Sequence, residues 1–142
     1  MRSTARACTL LLLSLGFGLA NACGDDSSGF GTQADRIGVG AQCTKNSDCL
    51  QTGGDGGIVQ TCLTEFKGGY CGLKGCTGDT GCPDGSACVT HDNGQNYCFR
   101  VCRDKSECNL NRTPAVESNC SSSVDFVAGK SALKACVPPS SG

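Results

Sequence analysis

The sequence predicts a small disulfide-rich fold, made of tandem loop-plus-β-hairpin modules with little regular secondary structure. Three observations support this fold class: an export signal at the N-terminus, 14 cysteines among 142 residues, and a C-x5-C spacing that occurs three times. Export brings a chain into an oxidising compartment, where disulfides persist. We therefore expect the cysteines to be paired, and each copy of the repeat to mark one module.

The N-terminus has the pattern of a signal peptide over residues 1–22. Arg2 and Arg6 supply a positive start, and residues Thr9 to Ala20 form an apolar segment. That segment is shorter than the roughly 20 residues that a transmembrane helix needs. A positive start, a short apolar centre and a small-residue exit describe an export signal, which we expect to be removed after Ala22.

Cys23 stands directly after this signal. The preceding tripeptide A-N-A fits the A-x-A rule of the ordinary signal peptidase. Together with Cys23, it also resembles the bacterial lipobox, although Ala20 replaces the usual large aliphatic residue. The resemblance implies that Cys23 receives a diacylglycerol and a further acyl chain such as palmitate. Cys23 is therefore the predicted lipid attachment site.

Cysteine parity favours the lipid anchor. Cys8 leaves with the signal and Cys23 takes the lipid, so an even number of 12 cysteines remains. Without lipid, the exported chain would carry 13 cysteines and one reactive thiol. The alternative is a secreted protein with a free or intermolecularly paired Cys23. Because Gly24 rather than aspartate follows Cys23, the lipobox resemblance implies an extracytoplasmic protein anchored in the outer membrane.

Composition excludes several classes of protein. Between Cys43 and Cys136, only 15 of 94 residues are Leu, Ile, Val or Phe, a share that would leave an uncrosslinked chain disordered. We expect six disulfides, each contributing about 2–4 kcal/mol, to hold the fold in place of a core. A mature net charge of about −3 without a basic patch argues against nucleic acid as a partner. The polar C-terminal end predicts no second membrane anchor.

The chain divides into a tether, three modules and a tail. Residues 23–42 are interpreted as the lipidated cysteine and a flexible tether rich in Gly, Ser and Asp, with an ordered strand over Arg36–Val39 as the alternative. Cysteine-rich modules 1, 2 and 3 follow over residues 43–75, 76–101 and 102–137. Residues 138–142 are expected to form a disordered tail.

The twelve remaining cysteines fall into three sets of four. The sets are Cys43, Cys49, Cys62, Cys71; then Cys76, Cys82, Cys88, Cys98; then Cys102, Cys108, Cys120, Cys136. Each set opens with a polar C-x5-C loop, and a candidate hairpin carries its third and fourth cysteines. The clearest hairpin joins Ser86–Thr90 to Asn96–Val101 around the turn dipeptide N-G. The others join Ile58–Phe66 to Tyr70–Leu73 and Cys120–Val127 to Ala132–Val137.

Spacing leaves the disulfide pairing open. If each set pairs within itself, the 12 cysteines allow 27 arrangements. A turn centred near Asn93-Gly94 would place Cys88 and Cys98 one position out of direct opposition, and diagonal partners are too far apart for a disulfide. This geometry favours bonds from the first to the third cysteine and from the second to the fourth.

The stretch C-T-G-D-T-G-C-P-D-G-S-A-C-V, residues 76–89, is the clearest copy of the repeat. Such C-x5-C loops followed by a hairpin resemble the cysteine-rich lipoproteins of myxobacteria and, more loosely, the N-terminal cysteine-rich domain of Dickkopf proteins. The resemblance covers about residues 43–136 and departs at two inserts, Gln51–Val59 and Asn109–Asn119. The bacterial family has no general assigned activity, and the Dickkopf likeness implies protein binding.

No pattern of catalytic or metal-ligating residues stands out. Structural zinc sites use C-x2–4-C pairs, and the short gaps here are x5, x4 (Cys71–Cys76) and x3 (Cys98–Cys102). In an oxidising compartment, disulfides are the favoured interpretation of these cysteines. His91 is the single imidazole in the chain. The loop carboxylates are interpreted as turn and capping residues: Asp48, Asp79, Asp84, Asp92, Asp104 and Glu107. We therefore predict no catalysis, no cofactor and no bound metal.

These observations predict a non-enzymatic, membrane-tethered, extracytoplasmic lipoprotein that acts as a surface structural or protein-binding module. Its partners would be the lipid membrane, through Cys23, and a protein ligand at the cell surface, contacted by the inserts 51–59 and 109–119. The alternative is a secreted peptidase inhibitor, whose disulfide-braced segment Leu63–Lys67 would enter a protease. Otherwise Leu63 and Phe66 belong to a small core.

Overall fold

A computed structural model describes residues 31–51, 57–129 and 132–141. Two short helices, α1 (Gln33–Ile37) and α2 (Lys105–Cys108), and three turns of 3-10 helix (Asn46–Asp48, Asp79–Gly81, Pro114–Val116) occur in these ranges. The strands are β1 (Thr61–Cys62), β2 (Cys71–Gly72), β3 (Ser86–Thr90), β4 (Asn96–Arg100), β5 (Asn119–Ser121), β6 (Asp125–Phe126) and β7 (Ala135–Val137). No helix within the described ranges is long and apolar enough to cross a membrane. The predicted fold class, disulfide-rich with little regular secondary structure, is confirmed.

Six disulfides close the described cysteines into pairs. In every set the first cysteine bonds to the third and the second to the fourth, which is the pairing that the sequence favoured. The bonds are Cys43–Cys62, Cys49–Cys71, Cys76–Cys88, Cys82–Cys98, Cys102–Cys120 and Cys108–Cys136. Their Cα–Cα distances of 5.3–6.0 Å lie in the usual range for disulfides.

The reason expected for that pairing, a one-position offset between Cys88 and Cys98, is wrong. Cys88 and Cys98 lie directly opposite each other across β3 and β4, because the connecting loop is centred on Asn93 rather than between Asn93 and Gly94. The third and fourth cysteines of modules 1 and 3 are directly opposed in the same way. Directly opposed side chains project from the same face of a hairpin. Both therefore meet the C-x5-C loop, which offers one sulfur atom to each of them.

The β3–β4 hairpin has two buried faces, because side chains alternate along a strand. Cys88 and Cys98 face their disulfides, whereas their strand neighbours Val89, Tyr97 and Phe99 belong to a hydrophobic core common to all three modules. We call this cluster the shared core. Neighbours of the opposed cysteines in modules 1 and 3 also belong to it, namely Leu63, Tyr70 and Ala135.

Phe66 is the centre of the shared core. It is 2% exposed, and its ring makes edge-to-face contacts with those of Tyr70, His91, Tyr97 and Phe99, at centroid distances of 5.0–5.9 Å. Such contacts add about 0.5–1.5 kcal/mol per pair beyond the burial of area. The expectation that disulfides would hold this fold in place of a core is therefore wrong, because the few large apolar residues converge on one point.

The strand predicted over Cys120–Val127 divides between two sheets. Its first part, β5, pairs antiparallel with β7 as expected, but β6 pairs with β3 of module 2. The central sheet therefore has the order β4-β3-β6. Isolated bridges join Lys74 to Tyr97 and Val101 to Ala135. The three modules thus pack together through backbone pairing as well as through the shared core.

Residues 32–42 are not a flexible tether, and the alternative strand over Arg36–Val39 is also absent there. Thr32 and Asp35 begin α1 with a reciprocal capping box, in which each side chain accepts the other residue's backbone N–H. Ala34, Ile37 and Val39 then enter the shared core. These apolar residues are too few to show a helical period in the sequence, yet the core holds the segment in place.

Residues 138–141 are ordered rather than a disordered tail. Pro138 is buried, the Lys67 N–H donates to the Pro139 carbonyl at 2.8 Å, and the Ser141 N–H donates to the Glu65 carbonyl at 3.1 Å. These partners belong to module 1, about 70 residues earlier in the chain, so composition did not reveal them. The predicted signal peptide and Cys23 lie outside the described residues.

Replacing Phe66 with alanine should lower the free energy of unfolding by about 3–5 kcal/mol, the usual cost of emptying an aromatic core position. Denaturant unfolding of the oxidised protein measures this change. Leu110→Ala is the matched control, because Leu110 is 72% exposed and its truncation should change stability by less than about 0.5 kcal/mol. Equal unfolding curves for the two variants would contradict the central role of Phe66.

Candidate functional site

Carboxylates of the C-x5-C loops accept hydrogen bonds from the loop backbone. Asp48 accepts the N–H of Thr44 at 2.9 Å and that of Lys45 at 3.2 Å. Glu107, at the same loop position in module 3, accepts the N–H of Arg103 at 2.8 Å. These groups close their loops, so they are the turn and capping residues that the sequence predicted.

A second repeated hydrogen bond links two of the loops to their hairpins. Asn46 and Asp79 occupy the third loop position of modules 1 and 2, and their side chains accept the N–H of Cys62 and Cys88, respectively, at 2.9 Å. Lys105 occupies that position in module 3. This contact was not predicted from the sequence, although the short polar side chain three residues after the first cysteine was its signal.

Hydrogen bonds hold the pKa of Asp48 and that of Asp104 below the ordinary value. The N–H of Thr44 is the chief cause for Asp48, and the hydroxyl of Ser106 is the chief cause for Asp104. A carboxyl group that stays ionised in this way is a poor proton donor near neutral pH. Neither group is suited to general acid catalysis.

The described cysteines offer no thiolate. Each module brings three sulfur atoms within 4.8 Å of one another, for example those of Cys76, Cys82 and Cys88. All twelve described cysteines are nevertheless closed into disulfides. A disulfide sulfur lacks the negative charge with which cysteine attacks carbon or binds zinc. The close sulfur atoms therefore reflect two disulfides packed side by side in each module.

His91 lies at the loop end of the β3–β4 hairpin, between two clefts. Its ring contacts those of Phe66 and Tyr97 edge-on, at centroid distances of 5.2 and 6.1 Å, and its buried Nδ1 has no hydrogen-bond partner among the described residues. A cleft of about 140 Å³ includes Asp125, and another of about 400 Å³ includes Glu65. These contacts make the imidazole a packing group.

Glu65 connects the larger cleft to module 2. Burial by itself would raise its pKa, but hydrogen bonds from its own backbone, from the Tyr97 hydroxyl (3.0 Å) and from Lys74 (3.3 Å) outweigh that effect and lower it. The pKa of Lys74 is raised in turn, mainly by its hydrogen bond to Glu65. The carboxylate is therefore occupied by a structural ion pair.

Exposed apolar side chains flank the first insert. Leu50 is 61% exposed and Val59 is 71% exposed. Their segments lie side by side, because Gln60 Nε2 donates to the Leu50 carbonyl at 2.9 Å and Gln51 Nε2 donates to the Gln60 carbonyl at 2.8 Å. Gln60 is completely buried. This amide network holds the base of the insert, and we call the pair Leu50 and Val59 the apolar pair. Residues 52–56 of the insert lie outside the described residues.

The insert of module 3 instead serves the fold. Arg112 is 8% exposed, and its guanidinium donates to four backbone carbonyls at 2.7–3.1 Å. The carbonyls belong to Val116, Gly40, Gly69 and Lys67. No carboxylate lies within ion-pair distance of Arg112 in the described ranges. The cation therefore pins three separate segments together through charge-assisted hydrogen bonds.

Burial has an electrostatic consequence for Arg112. Desolvation lowers the pKa of its guanidinium, while the nearby Tyr70 opposes that change. Burial also raises the pKa of Tyr70 to about 12, although the Arg100 N–H that donates to its hydroxyl opposes the shift. The ligand contacts predicted for residues 109–119 stay a prediction, and Leu110 is the large apolar residue that the structure exposes in this insert.

The segment Leu63–Lys67 has mixed exposure, because Thr64 and Lys67 are exposed whereas Leu63 and Phe66 are buried. Leu63 is 5% exposed and Phe66 is 2% exposed, and both belong to the shared core. Insertion of this segment into a protease would have to remove both side chains from that core. The alternative stated for these two residues, that they form a core, is the one observed.

Comparison with protein-family models, with curated proteins and with solved structures finds no match for this chain. The lipoprotein and Dickkopf resemblances therefore stay predictions from cysteine spacing.

Replacing Arg112 with alanine should destabilise the protein by about 1–3 kcal/mol or more, the cost of leaving buried hydrogen-bond acceptors without a partner. Arg112→Lys should be nearly as damaging, because an ammonium group lacks the planar fork that reaches several carbonyls. Chemical unfolding measures both changes. Arg103→Ala, at an exposed arginine, is the control and should stay within about 0.5 kcal/mol. Wild-type stability in both Arg112 variants would contradict a stabilising role for the four hydrogen bonds from its guanidinium to backbone carbonyls.

Acidification should destabilise the protein through Asp48 and Asp104. Their folded-state pKa values lie below the ordinary 3.8, so their contribution is present above that value and is lost as the pH falls through the folded-state pKa. The double variant Asp48→Asn, Asp104→Asn should therefore lose less stability than the wild type between about pH 5 and pH 2. Unfolding curves across that range are the measurement. Parallel losses in the two proteins would contradict the prediction.

Proposed function

We propose that this protein is a non-enzymatic, extracytoplasmic lipoprotein, anchored through acylated Cys23, that binds a protein ligand at the cell surface. The apolar pair, Leu50 and Val59, is the observation that carries the binding role. Its base is held by the buried Gln60, so little ordering would oppose association. Covering such side chains contributes about 25 cal/mol for each Å² of apolar surface removed from water.

The occupation of the reactive groups supports a binding role over catalysis. In the part of the chain that the structure describes, the cysteines form disulfides and the imidazole packs against aromatic rings. The loop carboxylates Asp48 and Glu107 bind backbone amides. Rigid scaffolds of this kind commonly use their loops for recognition.

The disulfides indicate the compartment. Six closed pairs indicate an oxidising, extracytoplasmic environment. The anchor itself is proposed from the lipobox-like tetrapeptide A-N-A-C and from the even number of cysteines that remain once Cys23 carries lipid. Gly24 after Cys23 supports the outer membrane as the destination. The peptidase-inhibitor alternative has no comparable support, because Leu63 and Phe66 are buried.

The anchor is tested by the intact mass of protein extracted from membranes, with thiol alkylation before and after reduction. We expect a chain that starts at Cys23, carries acyl groups and takes no alkyl group until it is reduced. An unacylated soluble chain with one alkylatable thiol would refute the lipoprotein proposal and favour a secreted protein.

The binding surface is tested by photo-crosslinking on intact cells. A photoreactive residue at position 59 should give a discrete crosslinked product, and the further substitution Leu50→Ser should reduce its yield. Position 110 is the matched control, because Leu110 is 72% exposed and Val59 is 71% exposed. A product that forms equally from positions 59 and 110, or that is insensitive to Leu50→Ser, would refute the apolar pair as the binding surface.

A further inference from the structure

The docking of α1 sets how far the folded protein can stand from its anchor. Gly31 is the first described residue, and seven residues separate it from Cys23. Eight residue-to-residue steps span at most about 29 Å. A tether that continued to Cys43 would reach about 70 Å. The capping box at Thr32 and the burial of Ala34 and Ile37 therefore remove more than half of that reach.

The N-terminal segment docks at one end of the β3–β4 hairpin. The Ala34 N–H donates to the Asp84 carbonyl at 2.8 Å, and the Asp84 N–H donates to Gln33 Oε1 at 3.1 Å. A Cβ atom on Gly85 would lie 2.1 Å from Thr32 Oγ1, so the Gly85 backbone lies directly against the Thr32 side chain. We call this region, where the chain from Cys23 enters the fold, the tether end.

The opposite end of the same hairpin carries His91 and its clefts. From Gly85 to His91, six residues along and just beyond β3, the chain advances by about 20 Å, because a strand rises about 3.3 Å per residue. We call this region, residues 91–95 with the two clefts, the distal end. To bring the distal end down onto a membrane, the tether end would have to rise by a similar distance. That inversion would use most of the available reach.

Among the charged side chains of the tether end, Arg103 lies beside Thr32 and Gly85. Asp35 forms an ion pair with Arg100 at 2.6 Å, and Asp104 and Glu107 accept backbone N–H groups. Arg103 is exposed, and no carboxylate lies within ion-pair distance of it in ranges 31–51, 57–129 and 132–141. Its guanidinium is thus available to phosphate oxygens, which guanidinium groups bind well.

We infer that the tether end, with Thr32, Gly85 and Arg103, rests on the lipid headgroups, and that the His91 clefts at the distal end face away from the membrane. The inference rests on the proposed acylation of Cys23. It names the lipid surface as the partner of one end of the fold. A macromolecular ligand then has free access to the other end.

Paramagnetic broadening tests this orientation in the acylated full chain, bound to phosphatidylcholine–phosphatidylglycerol nanodiscs with spin-labelled headgroups. Backbone amides of residues 32–37 and Gly85 should lose more signal than those of residues 92–95. The matched control has a Gly-Ser spacer of about 20 residues inserted after Gly24, which adds up to about 70 Å of reach and should weaken the gradient.

The outcomes separate this inference from the proposed function. A mass without acyl groups refutes the anchor itself. An acylated, nanodisc-bound chain that shows uniform broadening, or stronger broadening at residues 92–95, overturns the orientation and leaves the anchor intact. The same gradient in the spacer control would also overturn the inference, because the short reach would then play no part.

Discussion

The structure depends on one constraint, the direct opposition of two cysteines across each hairpin. Because Cys88 and Cys98 face the same side, their strand neighbours must face the other side. One face of every hairpin is therefore covered by two disulfides and a polar loop. The second face of the β3–β4 hairpin is apolar, and it is buried against Phe66 of module 1. The register that opposes Cys88 and Cys98 thus also directs Val89, Tyr97 and Phe99 into the shared core.

The shared core explains why the three modules do not behave as separate units along the chain. Phe66 of module 1 packs against Tyr97 and Phe99 of module 2, and β6 of module 3 extends the sheet of module 2. Arg112 adds a polar counterpart, since its guanidinium binds carbonyls of three segments. A cation in this position is costly to desolvate, so its four hydrogen bonds are needed to hold it. Loss of either contact should loosen all three modules together.

Most functional groups that the structure describes are already engaged in contacts within the fold. Most polar side chains near the cysteines close loops or cap turns, and the imidazole of His91 is held among aromatic rings. What remains for recognition is the apolar pair on its rigid base and the clefts at the distal end. A short connection to the membrane would make the two ends of the fold inequivalent, with one end near lipid and the other open to ligands.

The sequence by itself determined the fold class, the three sets of cysteines and the β3–β4 hairpin. These features depend on spacing and turn residues within about 25 positions, such as Asn93 and Gly94. Only the tertiary structure decided the register that opposes Cys88 and Cys98, and the order of residues 32–42 and 138–141. It alone decided the pairing of β6 with β3, and the role of Arg112. The physical reason is separation along the sequence. Arg112 donates a hydrogen bond to the Gly40 carbonyl, 72 residues away, and no local pattern encodes such a partner.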